Sequence, residues 1–360
     1  MPATIAEVLG YVSLLEQIEN IKRGIPDNFP PAFNTLTEPV LGNTARFIQT
    51  PGTRQTSRLS HYGAAAHKRG NFDIGKRDVV LIHSFEELTF DPLVLQQLMQ
   101  YNNYDVQQMG MQEVARQVAN FTELFVNLRK VVKQQVLVNG NVYFDGAGNL
   151  LPTSSGAVIT VAFNRSANNE NQLNGIIAAR WNLNTTDIPA QLRNLKIQAA
   201  KSTGYELKYA FYGKNIPSYF TTNDYVLDYL ARNPVMQAKY LESADIPDGL
   251  FGFTWVPVYT SFFEDSGNTN REVFDGDAVV FTPEPDKRWW AMAEGSYPIP
   301  TNINIISNAE EAVRSLKQVY GIAGYSQMMT NPVTIGTFML DTFLPLMKNP
   351  DVTFSADTVF

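Results

Sequence analysis

The chain has 360 residues, 44% hydrophobic, 12% aromatic and 18% charged, and no cysteine; at about 25% charged an average globular protein is richer in ions. A net charge of −7 argues against a generic nucleic-acid binder, and the missing thiols exclude disulfide frameworks, thiolate zinc sites, iron–sulfur clusters and cysteine nucleophiles. At this length a core can form without staples, and two or three domains are expected.

Residues Thr4–Arg23 carry one apolar stripe (Ile5, Val8, Leu9, Val12, Leu15, Ile18) and read as a helix stopped by Gly24-Ile25-Pro26. The amino terminus shows no basic n-region and Glu7 breaks its apolar stretch, so a signal peptide is not expected. No apolar run approaches the roughly 18 residues of a membrane span, so a soluble protein is expected. Pro26–Pro39, with four prolines, reads as an extended arm without a core of its own. Strands are expected at Val40–Thr50 and Asp78–Phe85. Between them, Thr44–Arg77 holds seven bases (Arg46, Arg54, Arg58, Lys68, Arg69, Lys76, Arg77) against one acid, Asp73. Loops this long without a core are usually functional or held by a partner. The three histidines, His61, His67 and His83, lie in this region at spacings that suit neither a helical metal site nor a rigid triad.

Asp91-Pro92 marks a helix start, and a long helix is expected from Tyr104 to Leu137. Its apolar positions (Met111, Val114, Val118, Phe121, Phe125, Leu128, Val132, Val136) step by three and four and stay on one face; at 1.5 Å per residue it is about 50 Å long. The glutamine-rich flanks lack the charges of a coiled coil. A hairpin follows around Asp145-Gly146-Ala147-Gly148-Asn149, with a third strand at Ala157–Phe163 and an Asn-rich loop after it. Helices are expected at Thr186–Thr203, capped by Gly204, and at Asn223–Arg232, stopped by Asn233-Pro234. A strand is expected at Glu206–Tyr212, and 250–263 and 273–293 read as β-rich. Residues 241–311 carry 13 acids and three bases. A helix is expected at Asn308–Val319, paired strands over Tyr320–Asp341 around Asn331-Pro332, then the proline-bearing stretch Pro345–Asn349-Pro350, and a last strand at Val352–Thr358. The mixture of helices, hairpins and strands without regular βαβ units indicates an α+β fold.

No phosphate-binding, dinucleotide or nucleophile-elbow motif occurs. The carboxylate pairs Glu264/Asp265, Asp275/Asp277 and Glu284/Asp286 could serve a carbohydrate-active enzyme, with Trp289-Trp290 stacking on sugar. These acids lie in Gly/Pro turns, where solvated carboxylates are the simpler reading. Of the two tryptophans, one is expected in the core and the other partly exposed.

In this order the elements resemble the tailed-phage major capsid proteins of the Hong Kong 97 fold, and within them the lambda-type major capsid protein family. The resemblance covers essentially the whole chain. It is carried by Ala45-Arg46-Phe47 through Pro51-Gly52, Ser57-Arg58-Leu59, Trp181 with Asp187-Ile188 and Leu192–Ala200, Asn223-Asp224-Tyr225-Val226 with Asn233, Gly276-Asp277-Ala278-Val279-Val280, and Leu344-Pro345-Leu346 with Asn349-Pro350. None of these is a sharp motif; their order carries the likeness. The resemblance implies an N-arm (1–39), an E-loop (40–90) and a peripheral domain (91–185) with spine helix and hairpin 138–163. It also implies an axial domain (186–319) and a return to the peripheral domain (320–360). Arg46, Arg54, Arg58, Lys68, Arg69, Lys76 and Arg77 would then contact neighbouring subunits, and Val114, Val118, Phe121, Phe125, Leu128 and Val132 would pack the spine helix. It further implies a non-enzymatic shell protein that assembles with itself into hexamers and pentamers around double-stranded DNA, without cofactor, metal or membrane. Decoration, scaffold and portal proteins would be its partners, and it would reside in the virion capsid after assembly in host cytoplasm. A Lys–Asn cross-link from Lys68 or Lys76 is not expected. Rival readings are an encapsulin-like nanocompartment shell, a tail protein, and a carbohydrate-active enzyme using Glu264 or Glu284.

Overall fold

The computed structural model describes residues 14, 16, 18–20, 29–49, 75–90, 92–98, 104–243, 245–258, 262–264, 270–272, 274–300, 316–330 and 333–360. The expected first helix falls mostly outside them; residues 14, 16 and 18–20 are helical, with Leu14 and Ile18 buried. In chain order follow α1 (Ala32–Thr35), β1 (Thr37–Val40), β2 (Thr44–Gln49), β3 (Gly75–Val80), β4 (Ile82–Thr89), α2 (Pro92–Leu98) and α3 (Tyr104–Asn139). Then come β5 (Asn141–Phe144), β6 (Leu150–Leu151), β7 (Ile159–Ala162), α4 (Ile188–Ser202), β8 (Leu207–Tyr212), α5 (Ile216–Thr222), α6 (Asp224–Ala231) and α7 (Pro234–Ser243). The remaining elements are β9 (Thr254–Pro257), β10 (Phe262–Glu264), β11 (Asn270–Glu272), β12 (Ala278–Pro283), β13 (Trp290–Pro300), β14 (Leu316–Tyr320), β15 (Ala323–Thr330), β16 (Val333–Met347) and β17 (Phe354–Asp357).

Two sheets organise the molecule. The larger runs β1-β13-β16-β15, with β14 on β13 and β4 on β16; the smaller runs β17-β12-β8-β9. The helix α3 lies on the large sheet through Val114, Val118, Phe121 and Phe125, which meet Met339 of β16 in one buried cluster. The 3–4 spacing makes this possible, because it keeps one stripe facing a single surface over the helix length. Arg165 closes the helix: its guanidinium donates to the carbonyls of Leu137 and Val138, two acceptors the helix itself cannot satisfy.

The small sheet is buried on both faces. Tyr209, Phe211, Val256 and Val280 point into the cluster shared with α3 and the large sheet. Their neighbours Ala210, Tyr212, Trp255, Val279 and Phe281 point into a second cluster with α4, α5 and α6. The period-two alternation of side chains is thus apolar on both sides, as a sheet sandwiched between layers requires.

Several expectations need correction. Pro26–Pro39 is not merely an arm: Phe29 and Phe33 are buried in the shared cluster, and β1 pairs in parallel with β13. Of the expected helix Asn308–Val319, residues 316–319 lie in β14, antiparallel to β13, and the rest falls outside the described residues. β16 does not end at Asp341. It runs to Met347, because Pro345 stands beyond Phe343, the last residue that β4 reaches, so its missing N–H leaves no β4 carbonyl unmatched. The boundary drawn between 319 and 320 does not separate the sheets: β13, from before it, lies in the large sheet, and β17, from after it, pairs with β12 in the small one. Trp289 and Trp290 are both fully buried. Alternation does not apply to them, since both amides donate to the Asp286 carbonyl and Trp289 belongs to that turn rather than to β13.

Candidate assembly surface

The basic excursion is rooted in the antiparallel pair β2–β3, with Arg46 across from Asp78 and Phe47 across from Arg77. Ala45, Phe47 and Leu81 are buried in the shared cluster and pin this root to the body. Its bases divide by position. Arg46 forms a two-pronged pair with Asp78, at 2.8 and 3.0 Å, across the hairpin. The guanidinium holds the Asp78 carboxyl below the usual carboxylate range. Arg77 reaches the other way and donates to the carbonyls of Ala162 and Phe163, which ties the root to the β5–β7 sheet. Lys76 is exposed. Arg54, Arg58, Lys68 and Arg69 lie outside the described residues. Two of the seven bases are therefore engaged within their own subunit: Asp78 lies one residue beyond the basic run, and no local pattern marks a carbonyl 85 residues away.

The six residues assigned to the long helix lie on one stripe. Val114, Val118, Phe121, Phe125 and Val132 are buried, and Leu128 is partly buried against the shared cluster. One turn from Phe125, Arg129 donates to Asp341 at 2.6 and 2.7 Å and to Glu294 at 2.9 Å, with its guanidinium over the Phe343 ring. Burial alone would lower the Arg129 pKa, but the two carboxylates more than offset this and hold it above its ordinary value. This triad fastens α3 to β13 and β16.

Among the exposed apolar side chains are Leu41 and Val80 beside the hairpin root, Val158 and Ile159 at β7, and Tyr225, Leu227, Val235 and Leu241 on α6 and α7. The helices present these residues because their other positions, Val226, Leu230 and Tyr240, are consumed by the second cluster.

Of the six carboxylates considered for sugar chemistry, four are otherwise occupied. Glu284 is exposed and pairs with Lys208 at 3.0 Å. Asp277 accepts from Asn215 at 2.9 Å and from the Tyr219 hydroxyl at 2.5 Å. Asp275 and Asp286 accept backbone amides within their own turns. The indoles that would stack on sugar donate instead to the carbonyls of Glu284 and Phe33 and are closed to solvent. Glu264 lies in β10, and Asp265 is outside the described residues. The described residues hold no cluster of metal-ligating side chains, and none of their helices is long and apolar enough to cross a membrane.

No protein-family model matches this chain, and no curated protein matches it in sequence. Solved structures do. The chain is similar to a capsid protein assigned to a prophage of E. coli CFT073, at 12% identity and a TM-score of 0.55, over 97% of this chain and 99% of that one. A phage-related protein from Bordetella bronchiseptica RB50 matches at 11% identity and TM-score 0.46, over 95% and 96%. The SrpI encapsulin of Synechococcus elongatus PCC 7942 matches at 10% and 0.45, over 92% and 88%. The first likeness shows the fold: this is an α+β phage capsid fold of the Hong Kong 97 type.

Proposed function

We propose that the chain is the major capsid protein of a tailed phage, a structural subunit without catalytic activity. It assembles into hexamers and pentamers that close an icosahedral shell around double-stranded DNA. The observation that carries this reading is the two-way coverage of the fold, 97% of this chain against 99% of a capsid protein. Closed shells need heterologous contacts that return on themselves. The basic excursion and the apolar patches of β7, α6 and α7 are suited to supply them. In this reading 1–39 is the N-arm, 40–90 the E-loop, and 91–185 with the large sheet the peripheral domain. The axial domain is then 186–283 with β17, a division that follows the sheets rather than the chain. Decoration, scaffold and portal proteins would join the subunit in the virion capsid, built in host cytoplasm.

Electron microscopy of the purified full chain tests the proposal. Closed icosahedral shells or rings of five or six subunits are expected, and a chain monomeric at high concentration refutes it. Nucleic acid inside particles from infected cells distinguishes a virion shell from a compartment that holds an enzyme.

A further inference from the structure

Where the end of α3, the β5–β7 hairpin and β17 meet, the structure holds a cavity of about 340 Å³, within the range of about 300–1,000 Å³ usual for small-ligand sites. Its lining includes no residue of the β2–β3 root, α6 or α7. Six of the lining side chains are amides or hydroxyls: Asn139, Asn141, Asn171, Thr153, Ser154 and Ser355. Each of these can both donate and accept. Tyr143 and Glu170 complete the polar lining, and Val138 and Pro152 add apolar surface. The Asn141 side-chain amide donates to the Asn139 carbonyl at 3.0 Å and to the Tyr143 hydroxyl at 3.2 Å. That leaves Asn141 Oδ1 to accept and the Tyr143 hydroxyl hydrogen to donate. The half-buried Glu170 carboxylate attracts the buried Arg165 guanidinium at a distance but hydrogen-bonds to nothing among the described residues.

The walls are fixed from behind. Arg165 ties the loop to the carbonyls that end α3. Asp351 accepts the Ser166 amide at 2.9 Å on its side chain and the Asn169 side-chain amide at 2.6 Å on its carbonyl. The loop bearing Glu170 and Asn171 is also strained. Of the five non-glycine residues with positive φ among the described residues, four lie in it: Asn164, Asn171, Leu173 and Asn174. Asparagine tolerates this backbone, whereas Leu173 has no polar side chain to ease it and is held there by burial in the second cluster. Strain over-determined by its surroundings is typical of ligand clamps. A lining that both donates and accepts matches a ligand whose own groups do the same, which hydroxyls do. A cation would face the amide and hydroxyl hydrogens with a single carboxylate to offset them, and an anion would face Glu170. We infer that this cavity binds a neutral sugar, with the two oxygens of Glu170 accepting from adjacent hydroxyls and Val138, Pro152 and the Tyr143 ring covering the carbon skeleton. The inference goes beyond the shell reading and stands without it.

The test is saturation-transfer nuclear magnetic resonance and isothermal titration of the purified full chain with glucose, galactose, N-acetylglucosamine and maltose. Glucuronate and spermidine serve as the charged comparisons. At least one neutral sugar is expected to bind saturably at millimolar concentration. Glu170→Gln is expected to weaken that sugar about tenfold, the equivalent of one charge-assisted hydrogen bond of about 1.4 kcal/mol. Ser154 stands exposed on the rim, so Ser154→Trp is expected to abolish binding with an unchanged circular dichroism spectrum, and it decides the matter if Glu170→Gln disturbs the loop. Absence of saturable binding by every neutral sugar overturns the inference. Glucuronate binding more tightly than glucose overturns it in favour of an anion site, and saturable spermidine binding that Glu170→Gln removes overturns it in favour of an amine site. A neutral sugar whose affinity neither variant changes sits elsewhere on the molecule and overturns the assignment of this cavity.

Discussion

At the scale of single residues the decisive group is Arg129. It sits between Asp341, which has no solvent exposure, and Glu294, with its own side chain only 14% exposed. Removing one partner of a buried ion pair costs more than the pair contributes, because it strands the other charge away from water. Arg129→Ala is therefore expected to lower stability by about 3–5 kcal/mol in urea unfolding. Arg129→Met combined with Asp341→Leu and Glu294→Gln is expected to recover most of that loss, since no charge of the triad is then left alone. Glu113 offers the contrasting surface case. Arg116 and then Gln117 donate to its carboxylate and lower its pKa to about 2. A depressed carboxylate contributes stability above its unfolded pKa near 4.5 and loses it as pH falls toward 2. The difference in thermal midpoint between wild type and Glu113→Gln should be constant above pH 5 and shrink toward zero by pH 2.

At the scale of elements, helix boundaries follow local chemistry. Asp187 accepts the Ala190 amide at 2.9 Å at the start of α4, and Asn223 accepts the Val226 amide at 3.0 Å at the start of α6. The two caps differ in what else they hold. Asn223 is fully buried and also donates its amide to the carbonyls of Thr186 and Leu183. Asp187→Ala should cost about 1 kcal/mol, the usual value of a cap. Asn223→Ala should cost clearly more in the same denaturant titration, since two carbonyls lose their donor. These caps, the αL glycine Gly204 after α4 and the stripe of α3 were legible in the sequence because each is a signal within a few residues. The helix α7 was not. Asn233-Pro234 reads as the end of one helix, but it also begins the next, with Asn233 accepting the Met236 amide at 3.3 Å. Proline at a first helical position and proline after a helix look alike in sequence. The candidate surface was legible only as charge. That Arg46 and Arg77 would be spent at home depends on strand register, which no local pattern encodes.

At the scale of the whole molecule, the two sheets meet around Phe33. Its ring packs edge-on against Tyr209 and Phe211 of the small sheet and against Trp289 and Trp290 at the entrance to the large one, all within 6.0 Å. Its carbonyl accepts the Trp290 indole N–H at 3.1 Å. Phe33→Ala is expected to cost about 3–5 kcal/mol, the range for a large buried ring that leaves a cavity. Because the ring touches both layers, a single cooperative transition should split into two when unfolding is followed by tryptophan fluorescence and by far-ultraviolet circular dichroism together.

The placement of β17 also bears on the order in which the chain folds. β12 lies between β8, made some 70 residues earlier, and β17, made some 70 residues later. Until residue 357 has been synthesised, the Ala278–Pro283 strand, with Val279, Val280 and Phe281, keeps an unpaired apolar edge. Such an edge is a template for pairing with the wrong chain. During synthesis at high abundance the hazard to this protein is thus greatest just before its last strand emerges, and a cell that makes it in quantity must shield that edge or outrun it.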